Sequence, residues 1–225
     1  MSVGHERSVL EAGLKSLKLN LLPSQVDALL AYMALIQKWN KVYNLTALRS
    51  SDEMLTHHLL DSLSVVLPLR AQLEAMGLTQ GKLLDVGSGG GLPGVVLAIV
   101  MPQWRITCVD TVAKKAAFVQ QVSASLALPN LRGLHARVES LRSDAGEGFD
   151  VVASRAFASL LDFVNWSTEA LLPHGVWMAM KGKLPTEEMA ALPTHAQVFH
   201  VEPLHVPGLD AERCVVWMRP SAQSV

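Results

Sequence analysis

Cysteine is nearly absent: the 225 residues hold two, Cys108 and Cys214, too few for a disulfide framework and without metal-ligand spacing. They read as buried, inert thiols in a reducing compartment. Long hydrophobic runs are missing as well. The most apolar stretch, Val95 to Met101, falls far short of the roughly 20 residues that a membrane-spanning helix requires. Up to Asn20 the chain is broken by Glu6, Arg7, Glu11, Lys15 and Lys18, leaving no apolar stretch for a secretory signal. A cytoplasmic protein without a membrane partner is therefore expected. Charge of one sign is not in excess either: 19 Lys and Arg face 20 Asp and Glu, for a formal net charge of −1. A nucleic-acid binder ordinarily shows a basic balance, so the whole-chain number argues mildly against such a partner. Repeats and low-complexity tracts are absent, and a hydrophobic fraction of 50% with 17% charged residues excludes a disordered chain. The length suits one large or two small domains with their own core.

Two kinds of patterning divide the chain. From Ser24 to Asn40, Val26, Leu29, Leu30, Met33, Ile36 and Trp39 recur at helical spacing, with Ser24 as the expected N-cap and Asp27 three residues on. A second helix is expected from about Glu53 to Leu69, and a shorter one before Pro23. Residues 1–80 thus form an N-terminal helical region. After Gly81 short apolar runs alternate with helix-length segments: Leu83 to Val86, Arg105 to Val109, Phe149 to Ala153 and Val176 to Met180, with a further strand near Leu131 to Arg137. This alternation predicts a doubly wound parallel α/β sheet over 81–225. At the end, Ala196 to Val206 and Cys214 to Met218 are joined by Pro207 to Arg213, too short for a crossover helix, and read as an antiparallel hairpin.

The most informative segment is Leu83-Leu84-Asp85-Val86-Gly87-Ser88-Gly89-Gly90-Gly91-Leu92-Pro93-Gly94, which runs straight into an apolar helix, Val95 to Val100. It reads as strand, glycine turn and helix, the arrangement that aims backbone N–H groups and a helix N-terminus at a nucleotide-type cofactor. Asp110 closes the next strand about 20 residues after Gly89, where an acid accepts both hydroxyls of a cofactor ribose. Gly89 to Gly94 literally satisfies G-x-G-x-x-G, so a nicotinamide-dependent oxidoreductase is one reading. Asp85 weighs against it: an acid at the strand end is a poor neighbour for a pyrophosphate and a good one for a cationic ligand such as a sulfonium bearing an amino group.

Acid, apolar residue, Gly-x-Gly-x-Gly and an acid closing the next strand resemble motif I of class I S-adenosylmethionine-dependent methyltransferases. That fold is a Rossmann-like doubly wound sheet with a reversed last strand, which matches the terminal hairpin. Trp39-Asn40-Lys41-Val42-Tyr43-Asn44-Leu45-Thr46, His58-Leu59-Leu60-Asp61-Ser62, the glycine segment from Asp85 to Gly94, and Ser154-Arg155-Ala156-Phe157-Ala158 narrow the resemblance further. Together they resemble the bacterial 16S ribosomal RNA methyltransferase G family, also called glucose-inhibited division protein B, from about Ser24 to Arg219. The resemblance implies methyl transfer from S-adenosylmethionine to N7 of a guanine in 16S ribosomal RNA, within the 30S subunit or its precursor, by a monomeric enzyme.

Guanine N7 carries an in-plane lone pair and no proton, so it needs no general base. In keeping with that, Ser154-Arg155-Ala156-Phe157 lacks the Asp/Asn-Pro-Pro-aromatic signature of exocyclic-amine methylation, and neither cysteine follows a proline as a ring-carbon nucleophile would. By the resemblance, Gly87 and Leu92 are cofactor contacts, Gly89 and Gly91 shape the turn, Asp110 holds the ribose, and Val138 and Glu139 meet the adenine. A solvated Glu139 opening a helix is the alternative, less favoured reading of that residue.

Arg155 is expected where cofactor and guanine meet, unless it serves only a structural ion pair. His58 and Asp61, one turn apart, either cover the cofactor or hold the helical region to the sheet, the latter being favoured. Asn44 and Thr46 are expected to pin a turn, Trp39 and Tyr43 to be core, and His57 to be solvated. Lys181, Lys183 and Arg213 are the phosphate candidates, forming a local basic rim on an otherwise neutral chain; Arg49, Lys114, Lys115, Arg132 and Arg137 extend it. Residues 184–193 are expected to be an exposed, adaptable linker. The same fold would also serve a small-molecule methyltransferase or a non-catalytic RNA-binding protein.

Overall fold

The computed structural model describes residues 3–48, 50–144 and 148–221. Five parallel strands, β1 (Gly81–Val86), β2 (Trp104–Asp110), β3 (Leu131–His135), β4 (Phe149–Arg155) and β5 (Leu171–Lys181), are followed by a hairpin of β6 (Ala196–Pro203) and β7 (Cys214–Pro220). The order across the sheet is β3-β2-β1-β4-β5-β7-β6, with β7 antiparallel to both of its neighbours. The chain leaves β1 for β2 on one side and reaches β4 on the other. The crevice for a ligand therefore opens beyond the carboxyl ends of β1 and β4.

The helical region begins with α1 (Val3–Ser16) and α2 (Pro23–Tyr43). Ser24 is not the N-cap of α2: Pro23 takes the first helical position, suited to its fixed φ, and Gln25 Oε1 accepts from the Leu22 N–H at 2.9 Å. The second helical stretch begins at α3 (Ser51–Met54), whose Ser50 accepts from the Glu53 N–H while Glu53 faces the Ser50 N–H. It passes through a π-helical turn, Leu55–Leu60, into α4 (Asp61–Ser64) and α5 (Val66–Ala75), well beyond the expected Leu69. Pro68 in the first turn of α5 has no N–H to return to Ser64, which accounts for the break between the two.

In the sheet region, α6 (Gly94–Val100), α7 (Ala113–Ser125), α8 (Leu160–Ser167) and α9 (Thr186–Ala190) complete the fold. Helix α6 is apolar all round and buried along its whole length, which is possible only because the helical region covers its outer side. Its terminal carbonyls have no helical partners, and side chains from elsewhere take them: Asn130 donates to Ala98 O at 3.0 Å, Gln25 to Ile99 O at 2.9 Å and Arg70 to Val100 O at 3.2 Å.

One apolar core runs from Leu10 in α1 through α2, α6 and α7 to Trp217 in β7, so residues on both sides of Gly81 share it. The other face of the sheet packs Leu84, Val152 and Trp177 against Leu160 and Phe163 of α8. No described helix is long and apolar enough to cross a membrane.

Tyr32 links the helical region to the glycine loop: its buried hydroxyl donates to Gly90 O at 2.6 Å. Tyr32→Phe keeps the ring and strips the carbonyl of its donor. A loss of about 1–2 kcal/mol is expected, lowering the midpoint of thermal unfolding by about 2–6 °C. An unchanged midpoint would show that this bond carries none of the attachment.

Candidate active site

The glycine loop is fixed from beneath by a carboxylate that never reaches the crevice. Asp85 is fully buried, and its Oδ2 accepts from the Gly94 N–H at 2.8 Å, joining the end of β1 to the start of α6. A Cβ on Gly94 would collide with the Cys108 sulfur and lie 2.8 Å from the same Asp85 oxygen, so only glycine permits this approach. The second oxygen, Oδ1, has no partner. Burial pushes the Asp85 carboxyl up to about 7, against the opposing pull of the Gly94 bond and of Arg155. The expectation that Asp85 faces a cationic ligand is thus corrected: the acid points inward, where the backbone of α6 needs it. Cys108 beside it is buried, and burial raises its thiol well above the ordinary range.

Above this clamp two chambers, of about 560 and 540 Å³, share Gly87, Ala156 and Phe157 as their common wall. Gly87 has φ +64, and a Cβ there would run into the Phe157 ring. Ala156, at φ 52, turns the chain at the end of β4 so that Phe157 lies over Gly87, packed edge-on against Phe163 and Trp166.

The first chamber is lined by Gly87, Gly89 and Leu92 of the loop, by Leu45, Thr46, His58 and Asp61 of the helical region, and by Arg155, Lys181 and Arg213. The second is lined by Val109, Asp110, Val138 and Glu139, with Trp166 at its edge. Asp110 accepts from the Gly89 N–H at 3.0 Å through Oδ2 and from the Val112 N–H at 2.8 Å through Oδ1. Each carboxylate oxygen retains a lone pair for a diol. Val138 and Glu139 sit in a short 3₁₀ turn after β3, which ends at His135, two residues earlier than expected.

These features fit S-adenosylmethionine. Space stands open over Gly89, whose Cβ would meet nothing within 4 Å, and an acid at the diol position faces an apolar slot. Gly91 faces away from the chambers, toward Val95, and serves the turn alone. The Leu92 N–H is already taken by Ser88 O at 3.0 Å, so its backbone shapes the loop while the residue lines the first chamber.

Across the crevice, one carboxylate gathers two guanidinium groups. Asp61 is 3% exposed; its Oδ2 pairs with Arg155 Nη1 at 2.7 Å and its Oδ1 with Arg213 Nε at 3.0 Å. Arg155 Nη1 also donates to His57 O at 2.8 Å. Arg155 therefore both lines the chamber and makes the structural ion pair, and Asp61 holds the helical region to the sheet.

His58 instead meets Thr46 Oγ1 at 2.8 Å through Nε2, and burial, with Arg155 nearby, lowers its pKa to about 4. The turn that presents Thr46 is organised by Asn40, which accepts from the Thr46 N–H and donates to Leu48 O. Asn44 contributes through a left-handed cap at φ 49. His57 is not merely solvated, since it lines the chamber and its carbonyl holds Arg155.

The expected phosphate contacts fare unevenly. Lys181 is spent internally, on Ala158 O at 3.2 Å and Glu188 at 2.8 Å. Desolvation pushes the Glu188 carboxyl up, but the bonds from Lys181 and the Leu160 N–H outweigh it and leave the group lowered. Residues 184–193 are therefore no free linker, because α9 within them supplies Glu188. Lys183 is exposed and Arg213 is committed to Asp61; Arg49 lies outside the described residues.

Phe157, Ala156, Trp166 and Leu45 line the site although their spacing assigns them no role. The one signal for Phe157 is its place two residues after the end of β4. Among the described residues no three His, Cys, Asp or Glu side chains group as metal ligands.

A family model described as rRNA small subunit methyltransferase G matches residues 25–216. A ribosomal RNA small subunit methyltransferase G of Polaromonas naphthalenivorans is 61% identical over 215 residues, covering 95% of this chain and 96% of that one. One from Polaromonas sp. strain JS666 is 64% identical over 211 residues, covering 93% and 92%. Among solved structures, TrmN from Thermus thermophilus superposes with a TM-score of 0.52 at 16% identity, over 74% of this chain and 53% of that one. A ribosomal protein L11 methylase from Lactobacillus delbrueckii subsp. bulgaricus gives 0.50 at 14%, over 72% and 77%. At such identities these likenesses speak for the fold, which is that of the class I S-adenosylmethionine-dependent methyltransferases.

Two consequences are measurable. The unfolded Asp85 ionises near its ordinary value of 3.8, whereas the folded one holds its proton to about 7. Its contribution to stability therefore falls as pH rises between these values, at up to about 1.4 kcal/mol per pH unit, and is flat above. His58 acts oppositely below its ordinary 6.5, so the difference between wild type and Asp85→Asn isolates the acid. The variant's thermal midpoint should gain on wild type from about pH 4 to 7; a pH-independent gap would refute the buried titration. Asp61→Ala, leaving two guanidiniums without their anion, should cost about 3–5 kcal/mol in denaturant unfolding; a loss below 1 kcal/mol would remove the latch.

Proposed function

The chain belongs to the rRNA small subunit methyltransferase G family, and from that premise we propose that it transfers a methyl group from S-adenosylmethionine to N7 of a guanine in 16S ribosomal RNA. The observation that carries the choice of N7 is the state of the polar groups in the first chamber. Both oxygens of Asp61 are taken by guanidiniums, and His58 is buried, tied to Thr46 and lowered to about 4. Among the described residues lining that chamber no carboxylate is left to remove a proton. An atom that attacks without losing a proton needs no such carboxylate, which favours N7 over an acceptor that must be deprotonated.

The roles of the chain's own groups follow. Asp110 holds the ribose diol, and Val138 with Glu139 meets the adenine in the second chamber. Once bound, the cofactor supplies an electrophilic methyl carried on a sulfonium. Gly87 and Phe157, the shared wall, set where the two chambers meet and hence the line of attack. Among the described residues Arg155 is anchored through Nη1 alone, which leaves its other N–H groups for the guanine O6 on the edge that also carries N7. The N7 edge of an A-form helix lies in a groove too narrow for side chains, so the target guanine is unpaired or flipped. A monomer working in the cytoplasm on the 30S particle or its precursor accords with this chemistry.

Mass spectrometry of nucleosides from small-subunit RNA, in cells with and without the gene, tests the substrate. One N7-methylguanosine should disappear, and its persistence would sink the reading. Arg155→Lys keeps a cation beside Asp61 but loses the planar fork. It should lower turnover at saturating RNA by tenfold or more while the thermal midpoint stays within a few degrees; unchanged turnover would take Arg155 out of the reaction.

A further inference from the structure

With Lys181 and Arg213 committed to carboxylates, the basic surface must be sought elsewhere. Two stretches of the chain contain no acid: one between Asp27 and Asp52, with Lys38 and Lys41, and one between Asp110 and Glu139, with Lys114, Lys115, Arg132 and Arg137. The fold brings the end of the first against the start of the second. Trp39 of α2 packs edge-on against Phe118 of α7 at 5.3 Å and lies 5.0 Å from Tyr43, while Lys114 stands 5.4 Å over the Tyr43 ring.

Tyr43, expected in the core, is 43% exposed; its chain neighbour Val42 is 69% exposed and Val112, just before α7, 45%. Lys38 and Lys41 are exposed one turn apart on α2, and neither they nor Lys114 pair with a carboxylate among the described residues. Lys114 and Lys115 stand in the first turn of α7, where the helix dipole disfavours cations, so helix stability does not explain them. The ledge also leads into the site. Leu45 and Thr46, two and three residues on from Tyr43, line the first chamber, and Val112 and Lys115 line the second.

We propose that this ledge, formed by Lys38, Lys41 and Tyr43 of α2 with Lys114 of α7, docks the RNA strand beside the target guanine. A neighbouring base stacks on Tyr43, and the lysines take the phosphates. An exposed aromatic among cations that pair with no carboxylate among the described residues is the surface that single-stranded RNA requires. The proposal rests on the RNA reading above and adds where the strand lies.

The test compares wild type, Tyr43→Ala, Tyr43→Phe and the double variant Lys41→Gln/Lys114→Gln. Affinity for 30S particles is measured across a salt series, alongside calorimetric binding of S-adenosylhomocysteine. Tyr43→Ala should weaken particle binding about tenfold or more, with Tyr43→Phe restoring it. The double variant should reduce the slope of log affinity against log salt by about 1.4. Cofactor affinity should be unchanged in all of them, which excludes misfolding.

If wild type methylates the particle and the variants match it in affinity and salt slope, the ledge is refuted while the functional reading stands. If wild type neither binds nor methylates the particle, both fall. Loss of binding to phosphatidylglycerol vesicles, with particle binding intact, would make the ledge a lipid surface and overturn the proposal.

Discussion

One buried carboxylate holds the molecule's three parts in register. Asp61 comes from the helical region, Arg155 from the end of β4 and Arg213 from the loop before β7, and the two partly exposed guanidiniums meet at a carboxylate that almost no solvent reaches. A lone charge at such a place is costly, but here each Asp61 oxygen faces a guanidinium, and Arg155 finds a further acceptor in His57 O. The arrangement carries one net positive charge and borders the first chamber. Holding the fold and lining the site are therefore not separable roles for Arg155. Its anchored nitrogen fixes the helical region, and the same anchor sets the aim of the rest of the group.

A second buried carboxylate does for the glycine loop what Asp61 does for the whole. Asp85 draws the start of α6 onto β1, and the contact is close enough that only glycine fits at position 94. Because α6 is apolar throughout, its terminal carbonyls have to be satisfied by Asn130, Gln25 and Arg70, two of which belong to the helical region. The glycine loop thus depends on helices that precede it by many residues. Tyr32, reaching Gly90 O from α2, is part of the same dependence.

The near-zero net charge takes its meaning from this arrangement. Asp61 and Glu188 neutralise cations that the strand-end positions had marked for RNA. Cations free of such partners gather instead where two acid-free stretches adjoin, at the end of α2 and the start of α7. Balance over the whole chain is compatible with a basic ledge of limited extent, which suits an enzyme that must release its product.

Patterning along the chain was enough for the alternation of strands and helices, the reversed final hairpin, the glycine loop with Asp110, and the family. All of these are written in local order: periodicity, glycine placement and short motifs are properties of neighbours in sequence. Most strand limits erred by a residue or two, but β5 begins five residues before the expected Val176 and β6 ends three before the expected Val206. The N-cap at Ser24 gave way to Pro23 and Gln25, because such ends are settled by which backbone groups find partners. What only tertiary structure decided was the allegiance of charged and aromatic side chains. Asp85 turned inward, Arg213 and Lys181 were claimed by acids elsewhere in the fold, Tyr43 came to the surface, and Phe157 closed over Gly87. Charge pairing and ring packing act across space between residues that sequence keeps apart, so no spacing rule along the chain records them.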